Sequence, residues 1–89
     1  MTKDQVIAAV TRYRLELREE PERMDPGDVV FFPGGRTARA HLTWMCLRIE
    51  DMVQDDAKWS KAMRWLGFVQ GAMWAVGKST ISSLKDDNR

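Results

Sequence analysis

The 89 residues predict an all-α fold, a three-helix bundle with a short C-terminal fourth helix and one long Pro/Gly-containing loop. Three observations lead there. Apolar residues recur every three to four positions through three long segments, the signature of helices with one buried stripe. The strong breakers Pro26-Gly27 and Pro33-Gly34-Gly35 crowd into a single stretch. The one β-prone run, Val29-Val30-Phe31-Phe32, has no second strand to pair with. A chain this short forms one domain, 1–89, and buries only about 60–65% of its unfolded surface, so its core is thin.

The first helix is expected at about 3–19. Thr2 and Gln5 fit a capping box, and Asp4 adds negative charge where the helix dipole favours it. Val6, Val10, Tyr13 and Leu17 make one stripe, and Pro21 blocks continuation because the residue before a proline resists helical geometry. Residues 20–36 read as loop, with Phe31 and Phe32 expected to plug the bundle. The second helix, about 37–54, is capped by Thr37 and carries Ala38, Leu42, Met45, Ile49 and Met52 inward. Asp55-Asp56 makes a turn and an N-cap. The third helix, about 57–76, buries Trp59, Met63, Leu66, Val69, Met73 and Val76, and Gly77 sits where a left-handed glycine would close it. A last helix, about 80–86, turns Ile81 and Leu84 inward, and the Asp86-Asp87-Asn88-Arg89 tail is expected to fray.

Composition removes several function classes. With 14 Lys and Arg against 13 Asp and Glu, the net charge of +1 lacks the basic excess of a general nucleic-acid binder. One Cys cannot form an internal disulfide. The N-terminal residues carry no apolar signal core, and the longest uncharged run, Trp65 to Gly77, is 13 residues, short of the ~20 that span a membrane. The reading is a soluble, cytoplasmic protein with no membrane partner.

No catalytic, cofactor or metal site emerges. Gly77-Lys78-Ser79-Thr80 looks like the end of a phosphate loop. However, Ala72 stands where the first glycine belongs, and the segment closes a helix instead of opening one. His41 and Cys46 differ by about 140° around one helix and cannot act together; Cys46 is expected buried and His41 cap-proximal or partly exposed. Two carboxylate clusters, Glu16, Glu19, Glu20 and Glu22, then Glu50, Asp51, Asp55 and Asp56, read as solvated helix faces. Arg12, Arg14 and Arg18 interleave with the first cluster and are expected to pair locally.

The third helix resists this plain reading. On a wheel at 100° per residue, Gly67, Gly71 and Ala75 form one row beside the core stripe, and Trp65, Phe68 and Ala72 form another. A helix apolar all round must be buried all round, and 89 residues offer few elements to cover it. Each interior glycine costs ~1 kcal/mol relative to Ala, so the row has a packing purpose. Either the first helix crosses it, or Trp65, Gly67, Phe68, Gly71, Ala72 and Ala75 form an interaction surface with Trp65 and Phe68 as anchors. In either case Gly71→Leu is expected to destabilise the fold or the dimer. Residues 57–78 also carry Lys58, Lys61, Arg64 and Lys78 and no acid, against a net −2 over 37–56. These charges either complement the second helix internally or make a basic docking face.

His41-Leu42-Thr43-Trp44-Met45, the string Lys61 to Gly71, Trp74 and the closing Leu84 to Asn88 resemble a group of small uncharacterised proteins encoded by bacteriophages and prophages. The resemblance covers about the last 50 residues. It implies expression in a bacterial cytoplasm and an accessory role in infection or lysogeny, and it carries over no functional residues. The function expected is therefore non-enzymatic protein–protein interaction, as a homodimer or with a host protein. The alternative is a small nucleic-acid-binding regulator using Lys58, Lys61, Arg64 and the loop arginines.

Overall fold

The structure, a computed structural model, describes residues 1–23, 35–75 and 81–88. It is all-α. Helix α1 spans Lys3–Leu17, α2 Arg36–Met52, α3 Trp59–Ala75 and α4 Ile81–Asp87, with a 3₁₀ turn at Asp56–Lys58 leading into α3. Helix α2 is the middle element, packed against both α1 and α3. Helices α1 and α2 run antiparallel: Arg39 meets Glu19 at one end (2.8 Å), and Lys3 Nζ donates to Gln54 at the other (3.1 Å).

The capping box forms as the sequence predicts, with the Gln5 backbone N–H donating to Thr2 Oγ1 (3.2 Å) and the Thr2 N–H to Gln5 Oε1 (2.7 Å). The helix stops earlier than Pro21 requires. Arg18 adopts a left-handed conformation (φ 56°), and its N–H donates back to Arg14 O at 3.1 Å. Helix α2 begins one residue before Thr37, with Gly35 at the cap position and no side-chain cap bond. Asp55 caps the 3₁₀ turn through the Ala57 N–H (2.9 Å). The readings placed on Phe31, Phe32, Val76 and Gly77 to Thr80 lie outside the described residues.

The core joins Val6, Val10, Tyr13 and Leu17 of α1 to Leu42, Met45, Cys46, Ile49 and Met52 of α2 and Ala62, Leu66, Val69 and Met73 of α3. Trp44, Trp59, Trp65 and Leu84 pack half-buried around it. Cys46 is buried as expected, and burial pushes its thiol up to about 12. His41 is buried too, contrary to the expected partial exposure; it stacks on Trp44 with ring centroids 5.6 Å apart, and the Glu22 backbone lies against it. Burial lowers its pKa, against a smaller opposing effect from the Glu22 backbone.

Asp87 and Asn88 of the tail expected to fray are held by side-chain bonds, while Arg89 and the inward reading of the Ile81 side chain lie outside the described residues. Tyr13 Oη donates to Asp87, which also pairs with Arg12. Gln70 and Asn88 exchange a reciprocal pair of amide hydrogen bonds (3.1 and 3.2 Å), and Gln70 Nε2 donates to Tyr13 Oη at 3.3 Å. This network ties α4 to both α1 and α3.

Among the described residues, the α1 arginines that form ion pairs do so with other segments and not within α1. Arg12 reaches Asp87, Arg14 reaches Glu50 (3.0 Å), and Glu19 receives Arg39. No helix among the described residues is long and apolar enough to cross a membrane.

Candidate functional site

Among the described residues, the large hydrophobic side chains left exposed are Leu15 on α1 and Phe68 and Trp74 on α3, so α3 is the helix that carries two of them. Its inward sector is Ala62, Leu66, Val69, Gln70 and Met73. Facing away are Ser60, Lys61, Arg64, Gly67, Phe68, Gly71, Trp74 and Ala75, all exposed. Phe68 is 53% and Trp74 56% exposed. A Cβ added at Gly67 or Gly71 would meet nothing within 4 Å.

The crossing of this row by the first helix, one of the two arrangements expected, is therefore absent, since α1 packs on α2. The expectation for Gly71→Leu changes accordingly. A Cβ there meets nothing within 4 Å, so the substitution is expected to leave the fold intact or slightly stabilised through helix propensity, and its loss falls on association.

The structure also redistributes the anchors. Trp65, expected as an anchor of the interaction surface, is half-buried against Trp44 (5.7 Å between ring centroids), with Lys61 Nζ 5.4 Å from its ring centroid. Ala72 is likewise partly buried on that flank. Trp74, absent from the expected interaction set, is the exposed tryptophan. The reason is geometric. Trp65 and Trp74 lie about equally far around the wheel from the buried sector, on opposite flanks. Trp44 of α2 packs against Trp65 on one flank, whereas Trp74 on the other stays exposed. One signal in the sequence does point to Trp74: it stands seven residues, two turns, after Gly67 on the same face.

The surface thus comprises Gly67, Phe68, Gly71 and Ala75 from the expected set, plus Trp74 and Arg64. Charge does not complement internally across α2 and α3. Among the described residues, Lys58, Lys61 and Arg64 form no salt bridge. The acids of α2 are engaged elsewhere, Glu50 by Arg14 and Asp51 by Arg48 at 3.2 Å. Basic residues therefore border the apolar patch on its N-terminal side.

Among the described residues, no group of three or more His, Cys, Asp or Glu side chains is placed to hold a metal ion. Comparison of the chain with protein-family models, curated proteins and solved structures finds no match.

Proposed function

We propose that this chain is a non-enzymatic interaction module that binds another protein surface, a second copy or a host protein, through the outer face of α3. The observation that carries the reading is the pairing of two large exposed aromatics, Phe68 and Trp74, with a row on which the backbone itself is bare. Aromatic side chains beside close-approach positions are the usual anchors of interfaces. The two interior glycines weaken α3 while filling no space inside the chain, so their cost is accounted for by a contact outside it. The resemblance to phage- and prophage-encoded proteins supports reading the module as an accessory protein of a bacterial cytoplasm.

Sedimentation equilibrium of the intact chain tests this. The wild-type mass should rise with concentration through the micromolar range. Trp74→Ala should weaken association about 30-fold, the equivalent of a ~2 kcal/mol hot spot. Its melting temperature at low concentration should hold, because the side chain is exposed. Failure of both self-association and host-protein capture, together with DNA binding that weakens steeply with salt and is lost on reversing Lys58, Lys61 and Arg64, would instead establish the nucleic-acid alternative.

A further inference from the structure

We infer that α3 pairs with α3 of a second copy of this chain, antiparallel, about a two-fold axis passing between Gly67 and Gly71. The inference rests on the reading of this face as an association surface and specifies its occupant and register.

Ser60, Arg64, Gly67, Gly71 and Trp74 are all exposed and follow one another at spacings of four, three, four and three, the spacing of a helix–helix seam. They fall within about 80° of arc. Its last four members, Arg64, Gly67, Gly71 and Trp74, have the same spacing, three, four and three, read from either end. Arg64 lies three residues before Gly67, and Trp74 lies three residues after Gly71. A two-fold contact uses one patch on both subunits and must be self-complementary.

Antiparallel pairing meets that condition. Each Gly67 faces the partner's Gly71, where no Cβ on either side holds the backbones apart. Each Arg64 guanidinium, without an ion-pair partner among the described residues, comes over the partner's exposed Trp74 indole as a cation–π pair, twice per dimer.

Charge disfavours the parallel alternative. Lys58, Lys61 and Arg64 all lie in the N-terminal part of the 3₁₀ turn and α3, and the segment 57–75 contains no acid. Parallel pairing would stack these cations on their own copies. Antiparallel pairing sends them to opposite ends and opposes the helix dipoles. Phe68 borders the seam and extends its apolar area. A single helix pair about 25 Å long lies at or below the lower end of specific interface sizes, so the dimer belongs to the micromolar range.

The test is complementation between two variants. Arg64→Glu and Trp74→Lys should each lose self-association by more than about tenfold, the second by setting like charges opposite each other. Mixed in equal amounts, they should recover a dimer. At one end of the mixed pair the introduced carboxylate faces the introduced ammonium, and at the other the native Arg64–Trp74 contact remains. Both positions are exposed, so each variant should keep the wild-type helical spectrum. Spin labels at Ser60→Cys give a second reading, with buried Cys46 left unlabelled. In the antiparallel dimer the two sites are separated by about 27 Å along the helices, whereas parallel pairing brings them side by side.

Recovery on mixing with well-separated labels supports the inference. A wild-type dimer without recovery, or with adjacent labels, overturns the antiparallel register while leaving the interaction reading intact. A wild-type chain that stays monomeric at high micromolar concentration overturns the homodimer itself, and the interaction reading then stands or falls on capture of a host protein.

Discussion

Ile49→Ala is expected to cost about 2–5 kcal/mol, the range for truncating a fully buried aliphatic side chain. Ile49 is completely buried on α2, the helix that contacts both α1 and α3. An 89-residue domain holds only about 4–13 kcal/mol in total, so the variant should be largely destabilised and a substantial part unfolded at moderate temperature. Urea denaturation checks this: the midpoint should fall sharply with little change in slope. A loss below about 1 kcal/mol would mean that α2 does not organise the core in the way described.

Tyr13→Phe should be the next largest loss, about 1–3 kcal/mol, because it strips one partner each from two buried or half-buried polar groups, Gln70 and Asp87. Burial first, and the hydrogen bond to Asp87 second, push the Tyr13 hydroxyl up to about 12 from its ordinary value near 10. A raised value means the folded state holds the proton more tightly. This contribution is therefore fully present below about pH 10 and lost as pH rises through about 12. Tyr13 is the only tyrosine, so its phenolate absorbance reports this group alone. The native titration should be delayed toward pH 12, and Tyr13→Phe should lose the stability change across that window. A native midpoint near 10 would contradict the buried network.

Much of the fold is legible because it is local. The Thr2–Gln5 capping box, the stripe from Val6 to Leu17 and the Asp55 cap all act over a few residues, where periodicity and capping chemistry speak directly. The end of α1 was not legible, since a left-handed Arg18 replaces the glycine that would have announced it. The network around Tyr13 was hidden because its members lie 57 and 74 residues apart. Its one trace is Gln70, the single strongly polar side chain between Trp65 and Gly77, which stands in the buried sector and so needed partners. The outer face of α3 was legible as excess apolar surface. The roles of Trp65 and Trp74 were not, because a wheel gives the distance from the core but not the flank on which a neighbour sits.

The central claim is that Gly67 and Gly71 are bare for the sake of a contact beyond the chain. The concentration dependence of the melting temperature, compared between wild type and Gly67→Gln/Gly71→Gln, tests it most directly. Binding to the folded state raises the wild-type melting temperature as concentration increases. The double variant gains about 1 kcal/mol of helix propensity with open space for both side chains. It should melt higher than wild type when dilute and lose the concentration dependence, because its side chains hold the two backbones apart. Two curves rising in parallel would show that the row is not a contact, and a lower melting temperature in dilute solution would show that it is packed within the chain.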